Sequence, residues 1–297
     1  MAPTPRARAR LLARSGRAQP GLFAPLVLAQ AAEIEALELR DFLTNPTKLT
    51  KGLAALHQAL GTDAITTAGA DGLLAEAAGA ELDWSSYPPA VVTRPGEVGK
   101  GTSTDRIDAA VEATARLAAT APGDPVLMAA LTGPATLAQE VIGDRFSGLG
   151  EAEATSILEA LGELILDVLK RFLEAGTNLV VVVEDWLPPA GMTEGWRSVI
   201  TPLVNVTRFH QAAPVMVVRE ATGEGMANVP PSIGLCVPEG TSVAGPPNRI
   251  RGATLPTEPK EWAPPPPDTA LTLTAGVVPG RCSFAETHEA CRRVIAG

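Results

Sequence analysis

The chain has 297 residues, 45% of them hydrophobic, with 24 Lys+Arg against 33 Asp+Glu, a net charge of −9. This length suits one barrel-sized domain as well as two smaller ones, while the acidity speaks against a broad phosphate-binding surface and so against a nucleic-acid partner. Three cysteines (Cys236, Cys282 and Cys291) without a CxxC spacing give no disulfide framework and suit a reduced, cytoplasmic setting; no apolar run reaches the roughly 18–20 residues of a membrane helix.

In chain order, residues 1–20 carry Arg6, Arg8, Arg10, Arg14 and Arg17, and no acid precedes Glu33. With GLFAPLVLA (21–29) this could be read as a signal peptide, but Pro25 interrupts the apolar segment. The expectation is a flexible Arg-rich extension over 1–20 and one domain over 21–297. Apolar, β-branched runs predict strands at 23–28, 63–68, 125–131, 178–184, 214–218, 232–237, 248–252 and 270–275. Helical periodicity lies between several of them, at 47–61, 103–120 and 151–176, and again at 283–296. Residues 238–268 are rich in Pro and Gly and end in APPPPD, so the helices around strands six and seven are expected to be short or missing. Eight strands alternating with helices predict a (β/α)8 TIM barrel, whose active site sits at the carboxyl ends of the strands.

That rule gives meaning to LVVVVEDW (179–186). The valines form barrel wall, and Glu184, Asp185 and Trp186 stand where the wall meets the mouth. Asp71 follows strand two, and Arg219 and Glu220 follow strand five, close enough in the fold for acids and a guanidinium to meet and shift one another's pKa. Arg249 and Arg251 alternate along the predicted strand seven and should point the same way. SSYPPAVVTRPGEVGKG (85–101), with Tyr87 and Arg94, is a candidate lid. The loop GEVGKGTST (96–104) does not match a phosphate loop, and neither a serine nucleophile elbow nor HExxH occurs.

Several segments together resemble the uroporphyrinogen decarboxylase superfamily, which includes corrinoid- and coenzyme-M-type methyltransferases. They are RDFLTNPTKLTKGLAALHQALGTDAITT (40–67), ADGLLAEAAGAELDW (70–84), LTGPATLAQEVIG (131–143), LKRFLEAGTNLVVVVEDW (169–186), RGATLP (251–256) and TAGVVPG (274–280). The resemblance implies the barrel and admits a homodimer. It places Asp71 near the decarboxylases' catalytic aspartate. The family's Arg-Gln-Ala-Gly-Arg loop, which holds tetrapyrrole carboxylates, is reduced here to Gln30 and Ala31 within LVLAQAAEIE (26–35), so the haem-pathway reaction is not expected. The zinc ligands of the methyltransferase branch fall near Val218, Glu220 and Val277, none of which can replace His-x-Cys and Cys. His57, His210 and His288 lie in predicted helices, Cys236 reads as a core thiol, and the group Cys282, His288 and Cys291 belongs to the terminal helix. Neither metal nor cofactor is expected.

The leading expectation is a metal-independent lyase, a decarboxylase of a small carboxylated substrate. Asp71, Glu184 and Asp185 would be its acid, base or charge-stabilising groups; Arg219, Glu220, Arg249, Arg251 and Trp186 would bind substrate. A corrinoid-type methyltransferase with an altered or absent zinc site is one alternative. A non-catalytic ligand- or partner-binding barrel is the other, and a mouth plugged by residues 238–268 would favour it.

Overall fold

Val180 to Val183 are buried on both faces, as they must be in a strand that separates a barrel interior from a layer of helices. The same logic repeats around the molecule. The computed structural model describes residues 3–99, 101, 103–220, 223–238, 240–241, 245–246 and 248–296. Eight parallel strands form one sheet: β1 (Leu22–Phe23), β2 (Ala64–Ala68), β5 (Val126–Thr132), β6 (Leu179–Glu184), β7 (Ala213–Val218), β8 (Gly234–Pro238), β9 (Arg251–Leu255) and β10 (Leu271–Thr274). Their spatial order is β1-β10-β9-β8-β7-β6-β5-β2. The remaining seam, between β1 and β2, is bridged by Asp63. Its N–H donates to the Phe23 carbonyl at 2.9 Å and its Oδ2 accepts from the Phe23 N–H at 2.9 Å. The result is a nearly closed (β/α)8 TIM barrel.

The first strand is shorter than the sequence suggests. Pro25 has no N–H to give to a ladder, and the Leu26 N–H turns to the Thr274 hydroxyl instead. Strand seven is displaced by three residues, beginning at Arg251 rather than Asn248. The predicted helices form where their caps place them. Asn45 accepts from the N–H groups of Thr47 and Lys48 at the start of Pro46–Leu60, and Thr104 accepts from the Ile107 N–H before Asp105–Thr120. Helices Glu151–Glu174 and Thr193–Phe209 lie side by side, the second against β7. Around strands six and seven the helical layer thins to Gly223–Met226 and the short turn Pro259–Glu261, as the Pro-rich composition led one to expect.

The amino terminus differs from the expected flexible extension. Pro5–Ser15 is a helix, capped by the Thr4 side chain and ended by Gly16 in the left-handed region (φ 71°). Arg8, Ala9 and Leu12 are its buried residues, and it packs on β1, β5 and β7. Arg6 pairs with Asp124 at 2.9 Å; Arg8 pairs with Asp63 and donates to the Gly21 carbonyl at 2.9 Å. Counting arginines suggested disorder, whereas their helical spacing sets Arg8 and Leu12 on one face.

A hairpin of β3 (Glu81–Asp83) and β4 (Ala90–Thr93) rises beyond β2. Among the described residues no helix is long and apolar enough to cross a membrane.

Candidate active site

Glu184 ends β6 fully buried. Both oxygens are occupied: Oε1 accepts from the Ala135 N–H at 3.1 Å and the Trp196 indole at 2.7 Å, and Oε2 accepts from the Thr136 N–H at 2.8 Å and hydroxyl at 2.7 Å. Two of these donors are orphan N–H groups in the first turn of helix Pro134–Ile142, where a carboxylate is favoured. Gly133 makes the approach feasible, because a Cβ there would lie 2.3 Å from the Glu184 carboxyl carbon. Burial pushes the Glu184 carboxyl up to about 7, with the four hydrogen bonds pulling the other way. The acid expected to do chemistry is therefore committed to joining two helices to the barrel.

The next two residues face a cavity of about 670 Å³ at the carboxyl ends of the strands. Asp185 and Trp186 line it from β6, Glu220 from β7, and Pro89, Val91 and Arg94 from the hairpin and the residue after it. Thr136, Gln139, Glu140 and Gly143 complete one wall. These four recur at helical spacing along a single face of Pro134–Ile142 and its end. None of the lining residues comes from the described residues of 238–268. Trp186 meets Phe146 at a centroid distance of 6.4 Å.

Glu140 was not among the residues expected to act. Its side chain is half-buried, yet Oε2 is wholly covered and has no hydrogen-bond partner among the described residues. Burial is the largest influence on this carboxyl and raises it to about 8; repulsion from Asp185 adds to the rise, Arg219 opposes it, and Asp71 and Glu184 contribute further repulsion. The available signal was a lone acid within the apolar stretch LTGPATLAQEVIG, one helical turn beyond Thr136.

Asp185 and Arg219 meet as expected, at 3.0 Å. Arg219 also donates from Nε to the Ala275 carbonyl at 3.0 Å, and a Cβ on Gly276 would lie 2.2 Å from its Nη2. The guanidinium thus spans from β7 to the end of β10, and it is committed to those partners. Glu220 is exposed and its side chain has no ion-pair partner among the described residues.

Asp71 lies under the mouth, 2% exposed. Tyr87 donates its hydroxyl to Oδ2 at 2.7 Å, and Arg106 pairs with Oδ1 at 2.8 Å. Arg106 in turn pairs with Glu76 at 3.2 Å and lies 4.7 Å from the Trp84 ring centroid. Burial first, and then the Asp71 charge, drives the Tyr87 phenol well above its ordinary range, so it stays a donor. This closed triad ties the hairpin to the barrel. The loop expected as a lid is therefore half anchored: Tyr87 is buried while Arg94 is exposed.

Arg249 and Arg251 correct the expectation most plainly. Both lie at the amino end of the sheet, since Arg251 opens β9 opposite Leu235. Arg249 is buried there and holds the carbonyls of Ile233 at 3.0 Å and Pro230 at 3.3 Å. They border another hollow, with Arg17 and Asp268, at the end of the barrel away from the mouth. The strand shift of three residues moved them there.

The zinc that the methyltransferase resemblance would imply finds no fitting donors. Among the described residues no group of three or more His, Cys, Asp and Glu is arranged to hold a metal. Val218 and Val277 stand at the strand ends in question, and Cys236 is a fully buried thiol within β8, pushed upward by burial.

An α/β barrel with an acid-rich mouth is thus the class that the fold and site define. The sequence matches the family described as Uroporphyrinogen decarboxylase (URO-D) over residues 23–205, and the chain belongs to that family. Among solved structures, a methyltransferase from Methanosarcina mazei superposes with a TM-score of 0.66 at 16% identity, covering 99% of this chain and 97% of that one. No curated protein matches the sequence.

Proposed function

We propose that the chain is a metal-independent carboxy-lyase, decarboxylating a small carboxylated substrate in the mouth cavity. Glu140 carries this reading: a carboxyl raised to about 8, with one covered and unpartnered oxygen, on the wall of a cavity of about 670 Å³. In decarboxylation a C–C bond breaks, CO2 leaves, and the electron pair left on carbon must take a proton. A carboxylic acid that keeps its proton near neutral pH can deliver it, and is then reprotonated from solvent through the open mouth. Asp185 supports that role by repelling ionisation of Glu140. Arg94 offers the cation that receives an anionic group retained in the product. The departing carboxylate loses its charge in the transition state. The apolar and aromatic part of the wall, with Val91, Phe146 and Trp186, would therefore disfavour it more in the bound substrate than during reaction. Asp71 serves as a positioning residue, through Tyr87 and the hairpin.

The test is CO2 release at pH 7 from a panel of small aromatic and heteroaromatic mono- and dicarboxylic acids. At least one should be turned over, and Glu140→Gln should lower the rate by about 100-fold or more. Undiminished release by this variant would remove Glu140 from the chemistry. Binding without release from any acid would favour the non-catalytic barrel; zinc-dependent methylation of a thiol would favour the methyltransferase.

A further inference from the structure

The cavity wall is electrically divided. Arg94 is the one cation among its described lining residues, and the acids are Glu140, Asp185 and Glu220. Arg219 neutralises Asp185 across 3.0 Å. Among the described residues, one acid therefore remains uncompensated if Glu140 keeps its proton, and two remain if it does not. The two signs are also separated by element. Glu220 follows β7, and its N–H donates to the Asp185 carbonyl at 2.9 Å. Arg94 follows the hairpin and lies against Gly143, where an added Cβ would sit 3.1 Å from the Arg94 Cδ. The same wall includes an apolar and aromatic surface made by Pro89, Val91, Phe146 and Trp186, suited to a flat body. A purely anionic ligand would satisfy Arg94 and leave Glu220 facing it unfavourably.

We infer that the substrate carries a basic nitrogen as well as an anionic group, with the nitrogen facing Glu220, the anion facing Arg94, and an unsaturated ring against the aromatic part of the wall. This rests on the decarboxylase reading of the same cavity and narrows its substrate class from carboxylic acids to amino-acid-like or nitrogen-heterocyclic acids. Both charge-bearing side chains are exposed, so each can be changed without disturbing the core.

Binding calorimetry at low ionic strength with three probes sharing one ring system tests it: tryptophan, indole-3-propionate and tryptamine. Tryptophan should bind about 10-fold or more tightly than either single-charge probe. Glu220→Gln should weaken tryptophan and tryptamine by roughly 5-fold and leave indole-3-propionate unchanged; Arg94→Gln should weaken tryptophan and indole-3-propionate and spare tryptamine. Indole-3-propionate binding as tightly as tryptophan, a Glu220→Gln variant that binds all three as before, or no binding of any probe at millimolar concentration would each overturn the inference. These are binding measurements. If the charge pattern holds while no acid is decarboxylated, the chemistry is wrong and the ligand class stands; if CO2 is released from simple anions that bind equally well, the reverse is true.

Discussion

The two sides of this barrel are built differently. β5 and β6 each lead to a long helix, and the mouth there is lined by the charged side chains Glu140 and Asp185. From β8 to β10 the described residues of the connections form loops and short turns. Pro238, Leu255, Pro256 and Pro264 border a separate, mainly apolar hollow of about 320 Å³. The difference shows what a helix adds to a strand end. Its first-turn N–H groups hold Glu184, and its periodic face carries Thr136, Gln139 and Glu140 to the cavity. A proline loop has few N–H groups to offer and no repeating face, and among the described residues that side gives no group to the mouth cavity.

Breaking the helix-to-strand junction should have the largest consequence. Glu184→Ala leaves four donors without an acceptor in a fully buried site and should cost roughly 3–5 kcal/mol of stability, seen as a drop in denaturation midpoint. Glu184→Gln, which keeps acceptor capacity at one oxygen only, should lie between this variant and the wild type. A cost below about 1 kcal/mol for the alanine variant would show that the junction is held by apolar packing alone.

Glu140 separates function from stability on the same helix. Glu140→Gln should reduce turnover about 100-fold, equivalent to roughly 2.7 kcal/mol in the barrier, without unfolding the protein. It should also alter the pH dependence of stability. Glu140 and Glu184 both have folded pKa values above the ordinary glutamate value, at about 8 and about 7. The folded state therefore holds protons that the unfolded state has already lost. Their stabilising effect is complete below about pH 4.5 and declines as pH rises toward 7–8, by up to roughly 1.4 kcal/mol per pH unit for each group. The groups facing Glu140 that set this are Asp185, Arg219, Asp71 and Glu184. Unfolding titrations should show a shallower decline in Glu140→Gln; an unchanged slope would mean that Glu140 titrates normally.

A smaller effect is expected at the hairpin. Tyr87→Phe removes one hydrogen bond to a buried carboxylate and should cost about 1–2 kcal/mol, with faster amide exchange over residues 81–93. Uniform protection in both proteins would show that Arg106 and backbone pairing suffice to hold it. Smallest of all, Arg251→Ala should stay within about 0.5 kcal/mol and leave ligand binding at the mouth unaltered, because the exposed guanidinium lies at the far end of the barrel. A marked loss of binding would contradict that separation.

Much of the architecture could be read directly. Apolar strand runs, the Asn45 and Thr104 caps, and the Pro-rich thinning beyond strand six follow local rules, because capping and periodicity depend on neighbours a few residues away. Helix Thr193–Phe209 was missed; it carries Pro202 within its span, a residue that normally interrupts helical periodicity. Asp185, Trp186 and Glu220 line the cavity, and Arg219 pairs with Asp185, because a strand end fixes where the next residues stand.

The sequence by itself determined the repeating strand-and-helix order, the family, and which strand ends carry charge. Tertiary structure alone decided which of those charges is free to act. Glu184 and Asp185 are neighbours on one short segment, yet side-chain alternation buries one among four donors and opens the other to the cavity. Glu140 and Asp185 are 45 positions apart and influence each other only because β5 and β6 are adjacent and the helix after β5 folds back over their ends. A pKa depends on burial and on charges nearby in space, and neither quantity is written in the order of residues.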